Sequence, residues 1–263
     1  MAKFGIYVWF GGNVSNDIRF KAIKDAKFDS VAILYSDEYI DNIGSKESHI
    51  ELAFKYNLKI ENYHLPYTNA FDIFQDDEKK ANSQLNLYKE GIISASQNNV
   101  PVVVIHLTGD TITYPINQKG IERIKELIDF AKSYKVKLAF ENLRKEGLEY
   151  LYKVLDTFND EYVGLCYDYG HDHCFNKEHE FEILRKYGNR LFALHLHGND
   201  GLWDYHRRLR DGNGNLEKLK EELDKINVTC PYSLEVIQNV PANTYDQLMD
   251  YLKTMKEDLE KLV

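Results

Sequence analysis

Residues 191–197 read Leu-Phe-Ala-Leu-His-Leu-His, an apolar run that ends in alternating leucine and histidine. Successive side chains of a β-strand point to opposite faces, so the leucines can cover one face while His195 and His197 share the other. The stretch therefore predicts a strand with one face packed against helices and the other directed into an interior that carries polar function.

Seven further short runs, rich in β-branched and aromatic residues, predict the other strands: Phe4–Trp9, Ser30–Leu34, Leu58–Tyr63, Pro101–His106, Val136–Glu141, Tyr162–Asp168 and Tyr232–Val236. Amphipathic segments lie between the runs, such as the helical stripe of Leu248, Leu252 and Met255. Strict alternation of strand and helix implies parallel strands joined by right-handed crossovers. Eight such units without a glycine-rich phosphate turn favour a closed (β/α)8 TIM barrel of the α/β class over a doubly wound open sheet.

Composition is consistent with one domain over residues 1–263. Hydrophobic residues make up 43% of the chain, charged residues make up 29%, and no linker or low-complexity segment divides it. The apolar runs, for example Val102–Ile105, are too short to cross a bilayer, and the first residues lead us to expect no signal segment. Three cysteines without metal-type spacing predict reduced thiols and a cytoplasmic location. The net charge of −9 disfavours broad binding to nucleic acid or anionic membranes.

Residues with metal-binding side chains occur at the ends of the predicted strands and in the loops that follow them. Six lie at or just beyond strand ends, and three lie in the loops that follow: His64, His106, Glu141, Asp168, His197 and Glu235, then His171, Asp204 and His206. In a parallel barrel all strand ends converge on one rim, the face where barrel enzymes carry their chemistry. The pattern thus predicts that these residues meet.

The convergence of five imidazoles and four carboxylates indicates a metal site. One such residue alone is more often a hydrogen-bonded part of the scaffold, but acids gathered on one rim are costly without cations. The set suits zinc, manganese or iron. We expect a divalent metal, zinc or manganese, in more than one copy.

The remaining histidines and one tryptophan receive other interpretations. His49 lies in a predicted helix, His173 and His179 flank a polar loop and are expected to be solvated, and His195 is expected to orient the ligands around it. Trp9, at the end of the first strand, is interpreted as an apolar wall of a substrate pocket.

Short motifs occur in order along the whole chain: Lys27-Phe28-Asp29-Ser30-Val31, His64-Leu65-Pro66-Tyr67, Val104-Ile105-His106, Phe140-Glu141-Asn142, Asp168-Tyr169-Gly170-His171, His195-Leu196-His197-Gly198-Asn199-Asp200, Asp204-Tyr205-His206 and Leu234-Glu235. Together they resemble the xylose isomerase-like barrel superfamily, which includes sugar isomerases, ketose 3-epimerases, inosose-processing enzymes and endonuclease IV. The resemblance implies a TIM barrel and a metal-dependent enzyme.

The resemblance also implies ligand roles. The core metal ligands of the epimerase branch fall on Glu141, Asp168, His197 and Glu235. The additional ligands of the three-zinc endonuclease IV site fall on five more positions: His64, His106, His171, Asp204 and His206.

Two functions remain open. The first is an isomerase or epimerase for a small sugar, polyol or sugar phosphate, in which Glu141 and Glu235 move the proton and His171 binds a substrate oxygen. Trp9 and Trp203 are expected near that substrate, although Trp203 stands where the epimerase branch has a substrate-binding arginine.

The second function is phosphoester cleavage of the endonuclease IV kind, on abasic DNA or another phosphoester. Charge counting supports several ions, and Asp204 with His206 has no evident role in a one-metal site. Against DNA, Thr68 replaces an apolar wedge and no basic stripe marks a DNA path. The sequence ranks the small-substrate isomerase first. A barrel that has kept metal but lost catalysis is a third interpretation, and a homodimer is compatible with the family, although no segment marks an interface.

Overall fold

Eight parallel strands close into a barrel in which each strand is hydrogen-bonded to its neighbours in chain order, and the last strand pairs with the first. This arrangement is seen in a computed structural model that describes residues 3–38, 43–109, 114–237 and 242–263. The predicted (β/α)8 barrel is confirmed. The open-sheet alternative is excluded because Phe4, Gly5 and Ile6 of the first strand pair with Tyr232–Leu234 of the last.

The strands occupy nearly the predicted runs: β1 Phe4–Tyr7, β2 Ser30–Leu34, β3 Lys59–His64, β4 Val102–Ile105, β5 Lys137–Glu141, β6 Val163–Asp168, β7 Leu191–Leu196 and β8 Tyr232–Leu234. The differences lie at the ends. His106, His197 and Glu235 come one residue after the last residue of their strands, where the backbone leaves the sheet and begins a loop.

Nine α-helices lie in the described part of the chain: α1 Asn16–Asp25, α2 Lys46–Lys55, α3 Glu78–Gln97, α4 Gln118–Ser133, α5 Lys145–Thr157, α6 Tyr169–Phe175, α7 Glu182–Tyr187, α8 Leu216–Leu223 and α9 Tyr245–Glu260. Most begin at a side chain that accepts a hydrogen bond from the first turn, as Asp77 does for α3 and Thr244 for α9. Across the described residues, each helix is too short or too polar to span a bilayer.

The main core lies between the strands and the helices. The apolar stripes predicted from sequence face it: Ile124, Leu127 and Ala131 of α4 are fully buried, as are Leu248 and Leu252 of α9. These side chains pack against the outward-facing strand residues and leave the barrel interior to the other strand face.

The lower interior of the barrel contains a buried carboxyl. Glu61 of β3 receives hydrogen bonds from Ser30 and Ser233, and burial raises its pKa above 4.5. Gly5 makes room for it, since a Cβ on Gly5 would lie 2.1 Å from Glu61 Oε2. The Glu61 carboxyl thus fills space that an apolar side chain fills in most barrels.

Candidate metal centre

The rim at the carboxyl ends of the strands gathers the predicted ligand residues. His64, Glu141 and Asp168 are the last residues of β3, β5 and β6, and His106 and Glu235 directly follow β4 and β8. With neighbouring side chains they form three groups of His, Asp and Glu, in each of which the ligand atoms lie within 4.8 Å of one another; a further combination joins Glu141 and His195 to Cys166.

The first group joins His64, His106 and Glu141. The two imidazole Nε2 atoms are 3.1 Å apart and lie 3.3 Å and 3.2 Å from Glu141 Oε2. His64 keeps its other ring nitrogen 3.1 Å from the carbonyl oxygen of Leu65, which fixes the orientation of the ring. Two imidazole nitrogens that share a carboxylate oxygen form a ligand set typical of zinc.

The second group consists of Glu141, Asp168, His195 and Glu235. His195 Nδ1 lies 2.9 Å from Glu235 Oε2, 3.5 Å from Glu141 Oε2 and 3.9 Å from Asp168 Oδ2. Both His195 Nδ1 and Glu235 Oε2 are buried, and although they lie at ion-pair distance from each other, neither makes a well-directed hydrogen bond. Buried polar atoms are normally satisfied, so this pair fits a site that completes its bonding with a cation.

The third group is built from His171, His197, Asp204 and His206. Asp204 Oδ2 lies 3.1 Å from His171 Nε2 and 3.1 Å from His206 Nε2. The other ring nitrogen of His206 approaches the carbonyl oxygen of Glu235 at 2.9 Å, and the rings of His197 and His206 stack at 3.9 Å. Glu141 belongs to the first two groups, and the third group lies beside them.

The charges of the three groups depend on one another. Burial would raise the pKa of Glu141, yet His195 and His106 hold it well below its usual value. Burial would lower the pKa of His206, but its hydrogen bond to Asp204 and the nearby Glu235 raise it to about 9. The carboxylates thus attract positive charge, which divalent cations would supply while leaving the imidazoles neutral as ligands.

A small cavity of about 160 Å³ opens over these groups. Its polar wall consists of seven predicted ligand residues: His64, His106, Glu141, His171, Asp204, His206 and Glu235. The rest of its described lining is mainly apolar or aromatic and includes Tyr7, Tyr67 and Phe175, together with one arginine, Arg144. Polar groups that converge within an apolar wall are typical of a site for a small ligand.

Two asparagines, which metal-ligand patterns do not single out, hold the site together. Asn142 Nδ2 donates to the carbonyl oxygen of Asp168 and its Oδ1 accepts from the Asp168 amide, so β5 and β6 are clamped where their ligands emerge. Asn199 donates to the carbonyl oxygen of Gly170 and accepts from the amide of Tyr205. Asn142 follows Glu141 in a motif, which is the signal that sequence reasoning could have used.

His195, in β7, and His197, which directly follows β7, belong to different groups, and the sequence did not predict this difference. His195 was expected to orient the ligands, but it lies among Glu141, Asp168 and Glu235 as a fourth ligand-type side chain. Its register explains this, because His195 pairs with Asp168 across β6 and β7. His197 lies two residues further along the chain. Its Nε2 atom is 3.0 Å from Asp168 Oδ1, and its side chain belongs to the third group together with Asp204.

The two tryptophans are not among the described lining residues of the cavity, although Trp9 packs against a cluster that includes Tyr7 and Leu34, which do line it. The guanidinium of Arg19 covers the ring of Trp9 at 4.4 Å, and Trp203 is 63% exposed to solvent. His173 corrects another expectation, since it is buried in α6 and its ring nitrogens contact Glu180 and Asn213 at 3.0 and 2.8 Å. The helix that contains His173 is only seven residues long, which is too short for a clear helical pattern in the sequence. The expectation of a solvated loop was therefore wrong.

Comparison with known proteins finds one sequence relative and several solved structures that are similar to this chain. An uncharacterized protein of Methanocaldococcus jannaschii is 23% identical over 223 residues, which cover 79% of this chain and 75% of that protein. The IOLI protein, solved with a bound zinc atom, superposes with a TM-score of 0.74 at 20% identity, over 99% of this chain and 98% of the other. D-allulose 3-epimerase from a Methylomonas species, in complex with D-allulose, gives a TM-score of 0.76 at 17% identity, over 100% and 97%.

These superpositions show a common fold. The family model for the xylose isomerase-like TIM barrel matches residues 20–255, which include all nine predicted ligand residues and every strand except β1. With the barrel, the ordered motifs and this match in agreement, the chain belongs to the xylose isomerase-like TIM barrel family.

Proposed function

We propose that the protein is a divalent-metal-dependent isomerase or epimerase that acts on a small sugar, polyol or sugar phosphate. The observation that carries the proposal is the placement of Glu141 and Glu235 in one buried group with Asp168 and His195, on the wall of a small cavity. A reaction that shifts a proton between carbon atoms needs a base and an acid on the same substrate, and two carboxylates can serve as both.

Glu141, Asp168, His195 and Glu235 would hold the ion. The fit rests on the buried His195 Nδ1 and Glu235 Oε2, which make no well-directed hydrogen bond, and on a donor set of carboxylate oxygen and imidazole nitrogen, which suits zinc or manganese. When bound, a divalent ion polarises a substrate carbonyl and increases the acidity of the neighbouring C–H bond.

Glu141, Glu235 and His171 would carry out proton transfer and substrate binding. One of Glu141 and Glu235 removes the proton from carbon, and the other carboxyl returns a proton to the opposite face or to the neighbouring carbon. His171, whose Nδ1 lies 3.0 Å from the carbonyl oxygen of Asn142, would keep its Nε2 edge toward a substrate oxygen. The apolar wall, including Tyr67 and Phe175, would limit the access of bulk water to the reacting carbon atoms, while the carboxyl groups exchange their protons with solvent between turnovers.

The related structures support a sugar substrate. D-allulose 3-epimerase, which shares the fold, was solved with its sugar, and the IOLI protein was solved with zinc. The cavity of about 160 Å³ is smaller than a typical site for a drug-sized ligand, which favours a compact substrate.

The test is proton exchange in deuterated water. Protein loaded with manganese or zinc is incubated with a panel of ketoses and ketose phosphates, and deuterium at carbon is followed by NMR. We expect incorporation and a new isomer, both lost with chelator and in Glu235→Gln. A metal-loaded, folded protein that gives neither incorporation nor a new isomer across the panel would reject an isomerase or epimerase.

One observation favours a second candidate, phosphoester hydrolysis. Asp204, His171, His197 and His206 form a ligand group beyond the four residues that proton transfer needs. Several ions together suit a phosphoester, since one can activate water while another stabilises the leaving oxygen. Hydrolysis of bis(p-nitrophenyl) phosphate that disappears in Asp204→Asn would favour this function. Thr68, which donates a hydrogen bond to Glu38, offers no apolar wedge for duplex DNA.

A further inference from the structure

The barrel interior contains a cysteine next to the second group of candidate ligands. Cys166 is fully buried on β6, two residues before Asp168, so both side chains point to the same face of the strand. It pairs with Glu141 across β5 and β6 and with Ala193 across β6 and β7. The sulfur therefore lies one layer deeper in the barrel than the Asp168 carboxylate.

The sulfur is close enough to Glu141 and His195 to share an ion with them. Cys166 Sγ is 4.0 Å from Glu141 Oε2, and the three side chains offer ligand atoms that all lie within 4.8 Å of one another. Glu141 Oε2 is 3.5 Å from His195 Nδ1. In a tetrahedral zinc site, with bonds of about 2.0 Å to nitrogen and oxygen and about 2.3 Å to sulfur, neighbouring ligand atoms are roughly 3.3–3.5 Å apart. The observed spacings are close to these values.

Packing alone does not explain a thiol at this position. The sulfur also contacts an apolar cluster on the interior face, which consists of Val102, Val104, Ala139 and Ala193. A small apolar residue would fill such a place equally well, since free cysteine packs like a small hydrophobic side chain. His195 supplies an independent observation, because its Nδ1 is buried and makes no well-directed hydrogen bond. Such a nitrogen, together with a carboxylate and a thiol, is a donor set that suits zinc.

We propose that Cys166 contributes its sulfur to the ion held by Glu141 and His195, and that this contact makes the interior site select zinc over manganese. Thiolate ligands favour zinc, whereas carboxylate oxygens alone suit manganese and magnesium. When the bond between sulfur and the ion forms, the thiol proton passes to solvent. The inference rests on the ion site of the proposed function and names the metal for that site.

The test uses cobalt as a spectroscopic substitute for zinc. Metal-free protein is titrated with Co²⁺, and the near-ultraviolet spectrum is followed for the charge-transfer absorption that a sulfur–cobalt bond produces. We expect this absorption in the wild type and its loss in Cys166→Ser. Competition titrations with zinc and manganese should show that Cys166→Ser lowers the zinc affinity by at least about tenfold and leaves the manganese affinity nearly unchanged.

The double variant Cys174→Ser/Cys230→Ser is the matched control. Cys174 Sγ donates to the carbonyl oxygen of Trp203 at 3.1 Å, and Cys230 lies two residues before β8, at the amino end of that strand. The control should keep both the absorption and the wild-type zinc affinity. Because the chain has three cysteines, absorption that the control keeps is assigned to Cys166 even if Cys166→Ser does not fold.

The possible results separate this proposal from the isomerase function. Cobalt that binds the wild type without the absorption overturns the sulfur contact, as does absorption that is lost in the control or kept in folded Cys166→Ser. These results leave the deuterium-exchange test of the isomerase unaffected. The absorption without any deuterium exchange or new isomer would instead overturn the isomerase function and leave the sulfur contact intact.

Discussion

His195 Nδ1 and Glu235 Oε2 lie 2.9 Å apart in the barrel interior, at ion-pair distance, yet neither atom makes a well-directed hydrogen bond. Such an arrangement is costly for an empty site and favourable for an occupied one. We expect the purified protein to contain more than one zinc or manganese ion per chain, and chelation to lower its melting temperature. Elemental analysis and thermal denaturation measure both. A content below a tenth of an ion would contradict the expectation.

We expect Glu141 to contribute to the binding of more ions than any other ligand, because it belongs to both the first and the second group. We expect Glu141→Gln to weaken two sites, whereas Asp204→Asn weakens only the third. Titration of metal-free protein with zinc, followed by calorimetry, counts the sites in each variant. Equal losses in the two variants would show that Glu141 does not bridge.

Glu235→Gln should abolish turnover while the barrel stays folded. The amide preserves size but cannot accept a proton, and general acid–base catalysis typically contributes about 10²–10⁴-fold in rate. Deuterium exchange gives the activity and circular dichroism checks the fold. The exposed Glu146→Gln is a suitable control, because it removes a carboxylate outside the described cavity wall. Wild-type exchange in Glu235→Gln would exclude its role.

Gly170→Ala should disturb the third ligand group without unfolding the chain. A Cβ at Gly170 would lie 2.0 Å from His197 Cε1, so the imidazole must move. We expect weaker metal binding, with a loss of stability of about 1–3 kcal/mol from overpacking. Calorimetric metal titration and urea denaturation test the two effects. Unchanged metal affinity would indicate that His197 is not a ligand.

The buried Glu61 carboxyl should make stability depend on pH. Its folded pKa is raised above 4.5 by burial, so the folded state favours the protonated form. That advantage is complete below pH 4.5 and is lost as pH rises toward the folded pKa. Glu61→Gln avoids the loss and should gain on the wild type by up to about 1.4 kcal/mol per pH unit over this range. Urea denaturation from pH 4 to 8 measures the difference, and a constant difference would contradict the shift.

The sequence predicted the barrel because alternating strand and helix patterns are local and repeat eight times. It also predicted which residues reach the rim, since a strand end is a local feature. It did not predict how His195 and His197 divide, because that depends on the register between β6 and β7, where the pairing shifts between Leu165 and Cys166. The contact of the Arg19 guanidinium with the ring of Trp9 likewise depends on tertiary structure that the sequence does not indicate.

Asn199 ties two separate segments of the chain through one amide, with Gly170 on one side and Tyr205 on the other. Gly170 precedes His171, and Tyr205 lies between Asp204 and His206. The side chains of His171, Asp204 and His206 are therefore expected to move together. Binding of an ion by the third group should accordingly involve both segments together, because Asn199 connects the loop to the short helix and coordination by one segment alone is disfavoured.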